Sequence, residues 1–151
     1  PSGLPVLQSY MEMRDTVIYL NHLTSVTRSF KAQLYDKALN PKRMSNALSP
    51  NVIHSMDASH MAFTTIDAFA NGVTNLGGIH DCFATTPAEM GQLRDSVRNA
   101  FADLYTADRF TEIADQLVAQ LPAELAAKLP PRPPMGDLDI NLVRSSTYFI
   151  T

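Results

Sequence analysis

The most regular pattern of apolar and polar positions in the chain begins after Thr86. Thr86 is a suitable N-cap for a helix, Pro87 suits the first helical position, and Glu89 would complete a capping box. Apolar side chains then recur at the helical spacing, at Met90, Leu93, Val97, Ala100, Phe101 and Leu104. This amphipathic stripe predicts a long helix whose apolar face lies in a core rather than against a cofactor.

Two further helices are predicted, one on each side of this helix. The earlier one starts near Ser55 or Asp57, which are both suitable N-caps, and stops at Gly72. The later one starts near Thr111 and is interrupted by Pro122, after which helix resumes. The chain is therefore predicted to be rich in helix.

Strand signals come earlier in the chain. Residues 16–20 and 29–35 are rich in β-branched and aromatic side chains and flank a polar stretch, residues 21–27, which predicts a hairpin. A helix over residues 30–39 competes with the second strand, because Ala, Lys, Gln and Leu favour helix. Residues 40–50, with their Asn, Ser and Pro, predict a turn-rich linker.

A second hairpin is predicted around Asp81. The apolar runs 76–79 and 83–85 flank it, and Gly77-Gly78 is a breaker, which places His80 and Asp81 near the tip. An ionised Asp in such a run is costly to bury unless its charge is compensated. Carboxylate oxygens suit a hard cation such as Mg²⁺. A structural Asp that caps the turn is the alternative interpretation.

Composition disfavours two kinds of structural site, and the charge distribution indicates where nucleic acid would bind. The single cysteine, Cys82, excludes an internal disulfide and, with only four His residues, does not favour a structural zinc site. The net charge of −3 is unevenly distributed. Residues 1–50 hold six basic and three acidic side chains, whereas residues 51–151 hold six basic and twelve acidic ones. A face for nucleic acid is therefore expected in the first third of the chain.

Several short segments together carry a resemblance to a known family. One is His54-Ser55-x-Asp57-x-Ser59-His60, and His80-Asp81-Cys82-Phe83 follows about 20 residues later. The others are Pro1-Ser2-Gly3-Leu4-Pro5-Val6, Gly136-Asp137-Leu138 and Ser146-Thr147-Tyr148-Phe149. In their order and spacing, these segments resemble the C-terminal end of the single-subunit RNA polymerases of phage and mitochondria.

The resemblance implies an α+β fold, the helix-rich palm and fingers segment of a right-hand polymerase similar to DNA polymerase I. One β-hairpin would carry Asp81 and another would be the promoter-specificity loop. Residues 1–50 would form the end of the fingers with this loop and a linker. Residues 51–129 would form the palm-type segment, and residues 130–151 a Pro-rich linker and a C-terminal tail that docks.

The resemblance also implies a chemistry, the transfer of ribonucleotides directed by a DNA template. A 3′-hydroxyl would attack the α-phosphate of a ribonucleoside triphosphate, with Asp81 as a catalytic residue and a ligand of a two-metal Mg²⁺ site. The quoted motifs do not supply the other metal-binding Asp, the Lys and the Tyr of this family. The remaining polymerase segment or subunit would carry them, so the chain is expected to be a C-terminal segment or small subunit that is inactive alone.

The binding residues implied by the resemblance fall into three groups. Nucleic acid or substrate would contact His54, Ser55 and His80, although a packing role for His80 in the hairpin remains open. Promoter DNA would meet the first hairpin, at side chains such as Tyr19, Asn21, His22, Arg28, Lys31 and Gln33. Tyr148 and Phe149 would fold back and support the active site. The expected partners are template and promoter DNA, the RNA product and ribonucleoside triphosphates.

Two other interpretations remain open. The chain would otherwise be a non-catalytic DNA-binding or interaction module derived from such a polymerase, or an unrelated helical domain or metal-dependent hydrolase. The hydrolase would use His54, Asp57, His60 and Asp81. On one helix, however, His54 and His60 lie about 240° apart, so a structural role at the helix entry is expected for Asp57 and His60. The expected setting is a phage-infected bacterium, with the mitochondrial matrix as the alternative, and no membrane contact.

Overall fold

The computed structural model of the chain describes residues 2–20 and 28–149, without the side chains of Leu20 and Arg28. The chain forms two compact units, Pro5–Ser55 and Pro1–Leu4 together with Met56–Thr151. We call these the N-terminal unit and the C-terminal unit. Helices and two small antiparallel sheets make up the described part, so the fold is mixed α and β.

In the N-terminal unit, β1 (Met11–Leu20) pairs with β2 (Arg28–Leu39) as an antiparallel ribbon. The predicted pair of strands is confirmed, and the alternative helix over residues 30–39 is wrong. Cross-strand pairing along the ribbon satisfies the backbone groups that a helix would otherwise pair, and helix propensity alone is a weak determinant.

The helix α1 (Pro41–Ala70) is much longer than predicted. The predicted linker over residues 40–50 and the predicted helix start near Ser55 or Asp57 are therefore wrong. Asn40 is the physical reason, because its side-chain oxygen accepts a hydrogen bond from the N–H of Arg43 at 2.9 Å. Pro41 then occupies the first helical position, where its missing N–H costs nothing. The Asn-Pro pair thus starts a helix instead of making a turn.

The end of α1 is where the sequence predicted it. Gly72 has a φ of +88°, a left-handed conformation that glycine adopts without steric cost. The N–H of Val73 donates back to the carbonyl of Ala68 at 3.0 Å and so satisfies one of the last helical acceptors.

The C-terminal unit continues with a small hairpin, in which β3 (Leu76–Ile79) pairs with β4 (Cys82–Thr85). A short 3-10 helix, Pro87–Glu89, leads into α2 (Met90–Thr106). The helices α3 (Arg109–Val118) and α4 (Ala123–Ala126) and a 3-10 helix, Ile140–Ser145, follow in that order.

The core of the C-terminal unit joins the end of α1 to α2. Ala68 and Val73 pack there with Leu93 and Val97, two positions of the predicted apolar stripe. Leu76 and Phe83 of the hairpin lie against this cluster. The stripe is confirmed except at its edge, where Met90 is exposed. Among the residues that the structure describes, no helix is long and apolar enough to span a membrane.

The N-termini of the later helices differ in how they are capped. The side chain of Thr86 makes no capping hydrogen bond, so the predicted capping box is wrong. In contrast, Asp108 caps α3 by accepting from the N–H of Thr111 at 3.0 Å and from its hydroxyl at 2.6 Å. These two bonds, with the hydroxyl of Thr111 as the larger cause, lower the pKa of Asp108 below its usual value.

Candidate active-site hairpin

His80 and Asp81 form the two-residue tip of the β3–β4 hairpin, between the paired residues Ile79 and Cys82. The predicted position of both residues at the tip is confirmed. His80 has a φ of +56°, a conformation that is uncommon outside glycine. Two-residue hairpin loops require such positive φ values, because the turn must match the twist of the strands.

The carboxylate of Asp81 lies in an open environment. Both Asp81 and Cys82 are exposed, and Ile79 exposes 74% of its surface. The cost of burying an ionised Asp in an apolar run therefore does not arise, because a two-residue tip holds its side chains out of the core. Within the described part of the chain, the carboxylate accepts one hydrogen bond, from the thiol of Cys82 at 3.8 Å. No backbone N–H of the turn donates to it, which disfavours a turn-capping role.

His60 joins the hairpin to both long helices of the C-terminal unit. Its ring contacts Phe83 of β4 edge-on at 6.0 Å and Phe101 of α2 at 5.7 Å. Its Nε2 lies 2.9 Å from the carbonyl oxygen of Val97. His60 thus has a packing role as expected, but in the interior of α1 rather than at a helix entry.

Glu89 holds the base of the hairpin, a role that the sequence did not predict. One carboxylate oxygen accepts from the hydroxyl of Thr74 at 2.6 Å and from its N–H at 3.2 Å. The other accepts from the hydroxyl of Thr85 at 2.9 Å and from the N–H of Asn75 at 3.3 Å. The Thr74 hydroxyl is the main cause that lowers the pKa of Glu89 to about 2, against a smaller opposing effect of desolvation.

Phe149 and Arg144 of the C-terminal tail contact α2. The ring of Phe149 packs against Phe101 with centroids 4.7 Å apart. Arg144 donates to Asn99 at 2.5 Å and to Asp103 at 2.6 Å. The expected docking of the tail agrees with the position of Phe149 but not with that of Tyr148, which exposes 84% of its surface.

The residues of the ribbon that were predicted to meet promoter DNA are exposed where their side chains are described. Tyr19 exposes 63% of its surface, and Lys31 is exposed on the neighbouring strand. Gln33 also lies on β2, where its side-chain amide donates to Asp15 across the ribbon at 3.1 Å. Asn21 and His22 lie outside the described residues, and for Arg28 only the backbone is described, paired with Leu20.

The last two predicted binding residues of this unit lie on α1. His54 is exposed, whereas Ser55 is half-buried and its hydroxyl donates to the carbonyl of Val52 at 2.8 Å. These residues belong to the N-terminal unit, while His80 and Asp81 belong to the C-terminal unit.

Comparison with known proteins decides the family. Residues 1–128 match the family model of the DNA-dependent RNA polymerases. Over 149 residues, the chain is 32% identical to the DNA-directed RNA polymerase 1A of Nicotiana tabacum and covers 90% of that relative. The chain belongs to the phage-type DNA-dependent RNA polymerases. The predicted membership is therefore confirmed for nearly the whole length of the polymerase chain.

Other relatives of this polymerase chain are far longer. The DNA-directed RNA polymerase 1 of Nicotiana sylvestris, a mitochondrial protein, is 32% identical over 149 residues, as is the chloroplastic/mitochondrial polymerase 2 of Arabidopsis thaliana. In each case, the match covers 99% of this chain but only 14% of the relative. These relatives are organellar, so they do not support a phage-infected bacterium as the setting.

The donor set of the polymerase chain suits part of a Mg²⁺ site. Across residues 2–20 and 28–149, no three His, Cys, Asp or Glu side chains lie close enough together to hold a metal ion. The trio His54, Asp57 and His60 therefore forms no such group. Asp81 instead presents a solvent-exposed carboxylate, and Mg²⁺ is commonly bound by one or two carboxylates with substrate phosphates and water. The carboxylate fits one arm of such a site.

Proposed function

We propose that the chain is the C-terminal segment, or a small subunit, of a DNA-dependent RNA polymerase and acts in template-directed ribonucleotidyl transfer. The observation that carries this proposal is the exposed carboxylate of Asp81 at the two-residue tip of a hairpin, in a chain of this family. The segment corresponds to palm and fingers of a right-hand polymerase. Its setting is an organelle, as for the relatives named above.

In the proposed reaction, the 3′-hydroxyl of the RNA attacks the α-phosphate of a ribonucleoside triphosphate. A new phosphodiester bond forms, the bond to the β-phosphate oxygen breaks, and pyrophosphate and the hydroxyl proton are released. Bound Mg²⁺ ions supply Lewis-acid stabilisation of the attacking and leaving oxygens. Asp81 provides one carboxylate for these ions, and His80 lies beside it to approach the triphosphate. The second Asp, the Lys and the Tyr come from the remaining polymerase segment.

The N-terminal unit is proposed to contact promoter DNA. A two-stranded ribbon fits the major groove, and Tyr19 and Lys31 are exposed on β1 and β2. The basic excess of residues 1–50 favours contact with phosphates. His54 and Ser55 on α1 are assigned to the RNA–template hybrid. Phe149 of the tail supports the active site from its position against Phe101 of α2.

The experiment that tests this function is Asp81→Asn in the reconstituted polymerase. The substitution keeps the shape of the side chain but removes the charge, so synthesis should fall by at least about 100-fold while promoter binding stays nearly unchanged. Asp95→Asn is the matched control, because Asp95 makes an exposed ion pair with Arg94 that contributes little. Wild-type turnover by the Asp81 variant would remove Asp81 from the active site.

A further inference from the structure

The hairpin that carries Asp81 has little internal means of holding its tip still. Each strand has four residues, and β3 contains the adjacent glycines Gly77 and Gly78. Glycines weaken a strand because they gain freedom in the unfolded state and offer no side chain to pack. Isolated two-stranded hairpins are only marginally stable in water. The position of the tip must therefore be set by contacts of the hairpin with the rest of the unit, which are the packing of Leu76 and Phe83 on the core and the hydrogen bonds at its base.

Three chain segments meet at that base, on the carboxylate of Glu89. Thr74 and Asn75 precede β3, Thr85 ends β4, and Glu89 ends the 3-10 helix before α2. The four hydrogen bonds to Glu89 therefore bridge both outer ends of the hairpin. An ionised carboxylate has about four acceptor sites, so all of them are used when the hydroxyl of Thr85 donates to Glu89.

Neighbouring hydrogen bonds complete this arrangement. The hydroxyl of Thr74 also accepts from the side-chain amide of Asn75 at 3.0 Å. The hydroxyl of Thr85 lies 2.6 Å from the carbonyl oxygen of Asn75 as well as 2.9 Å from Glu89. Because that hydroxyl has one proton, it donates to one of the two acceptors at a time, and three other donors hold Glu89 throughout.

The side chain of Glu89 does not cap its own helix. It stands at the N-cap position of α2, yet its side chain makes no capping hydrogen bond there. Both carboxylate oxygens bind the hairpin instead, and hydrogen bonds to an ionised acceptor are the stronger kind.

We propose that Glu89 is a positioning residue, which fixes the base of the β3–β4 hairpin and thereby the place of the Asp81 carboxylate. This inference rests on the proposed function, because it concerns the site that Asp81 helps to form. In an antiparallel pair of four-residue strands, fixing both outer ends fixes the register and the direction of the tip. Glu89 itself touches neither substrate nor metal.

The test is Glu89→Gln in the reconstituted polymerase, with synthesis measured per active site on a primed template. The amide of Gln has nearly the same size as the carboxylate of Glu. Its N–H₂ group, however, takes the place of an oxygen that accepts hydrogen bonds from two donors. Misplacement of a reacting group by about 1 Å costs up to 100-fold in rate, so we expect kcat to fall by about 10- to 100-fold. The KM for ribonucleotides should change by less than about twofold, and the Mg²⁺ concentration for half-maximal rate should rise, as for metal ligands that lose their supporting contacts.

Two further variants sharpen the test. Thr85→Val removes one donor to Glu89 and keeps the β-branched shape, so it should cause a smaller change in the same direction. In the double variant, the effects of the two substitutions on kcat should be less than additive, because both change the same group of hydrogen bonds around residue 89. Glu124→Gln, at an exposed glutamate in α4, is the matched control and should match the wild type.

Each outcome has a definite meaning. A folded Glu89→Gln enzyme with wild-type kcat and Mg²⁺ dependence would overturn the inference. A loss of synthesis that is explained entirely by a smaller fraction of folded protein would also overturn it. If Glu89→Gln fails to fold, unchanged kcat and Mg²⁺ dependence in Thr85→Val would overturn it instead. Full synthesis by Asp81→Asn would refute the proposed function. An inactive Asp81→Asn beside a normal Glu89→Gln would refute only the role of Glu89.

Discussion

On the proposed function, two carboxylates of the hairpin region have different roles, Asp81 in the chemistry and Glu89 in placing Asp81. Asp81 is exposed and contacts the thiol of Cys82, whereas Glu89 is hydrogen-bonded on both of its oxygens. The two carboxylates therefore differ in environment in the way expected of a ligand that must meet a cation and a residue that must hold a scaffold. His80 provides the left-handed backbone conformation that lets the chain reverse between β3 and β4.

The low pKa of Glu89 predicts how stability depends on pH. The folded-state value of about 2 lies below the ordinary value of 4.5, so the ionised form stabilises the fold. This stabilisation is complete above pH 4.5 and is lost as the pH falls towards 2. Wild-type chain should therefore be more stable than Glu89→Gln at pH 7, and the difference should shrink between pH 4.5 and pH 2.

Urea unfolding of both chains at several pH values measures that difference, and the other carboxyl groups cancel because both chains contain them. A gap between wild type and variant that stays constant from pH 7 to pH 2 would show that the charge of Glu89 does not stabilise the fold.

At the scale of elements, local signals predicted some structures well and missed others for a physical reason. The tip at His80 and Asp81, the stop at Gly72 and the stripe of α2 follow from neighbouring residues, and all three are confirmed. The hydrogen bonds that Glu89 accepts from Thr74 join residues that are far apart in the chain. The local pattern instead indicated a capping box between Glu89 and Thr86, which does not form.

The start of α1 also could not be predicted from the local sequence. An Asn-Pro pair is compatible with a turn and with a helix N-terminus, and Pro50 in the following segment favoured the turn. The helix contains Pro50 nevertheless. Local propensity therefore could not decide between these two structures, because the stability of most helices in proteins comes from tertiary packing.

If Asn40 caps α1, Asn40→Ala should destabilise the chain by about 1 kcal/mol, because the N–H of Arg43 loses its acceptor. Asn46→Ala is the matched control within the same helix. Asn46 is exposed in the interior of α1, where Ala is the better helix former, so this change should be neutral or slightly stabilising. Thermal or urea unfolding gives both values, and equal effects of the two substitutions would argue against the cap.

A row of aromatic rings connects two other elements, the tail and the hairpin. Phe149 packs on Phe101, Phe101 on His60, and His60 on Phe83 of β4. Neighbouring rings in this row pack edge to face, and such pairs stabilise the fold beyond the effect of the area that they bury. The tail therefore has a packed route to the strand that follows Asp81.

Phe149→Ala should accordingly reduce elongation by the polymerase and lower thermal stability modestly, by about 1–3 kcal/mol, because a half-buried ring is removed. Tyr148→Ala, at the exposed neighbour, should leave both quantities nearly unchanged. Elongation rates and melting temperatures of the two variants make the comparison. Equal effects at both positions, or a normal rate in Phe149→Ala, would contradict support of the active site through this row.

At the scale of the whole molecule, charge and exposed apolar surface fit a segment that works within a larger assembly. The basic excess lies in residues 1–50 and the acidic excess in residues 51–151. Large apolar side chains such as Leu7, Ile66 and Ile79 are more than half exposed. Contact with another protein would bury such side chains. On the proposed function, the remaining polymerase segment is the partner that covers them.

The isolated chain should therefore fold but synthesise no RNA when given Mg²⁺, primed template and all four ribonucleotides. One carboxylate cannot hold two metal ions at the spacing that nucleotidyl transfer requires, and two-metal sites place the ions about 4 Å apart. Adding the remaining polymerase segment should restore synthesis with the wild-type chain but not with Asp81→Asn. Circular dichroism confirms folding in each case. Template-dependent synthesis by the isolated wild-type chain would show that it holds a complete catalytic site, and the proposal of a dependent segment would be wrong.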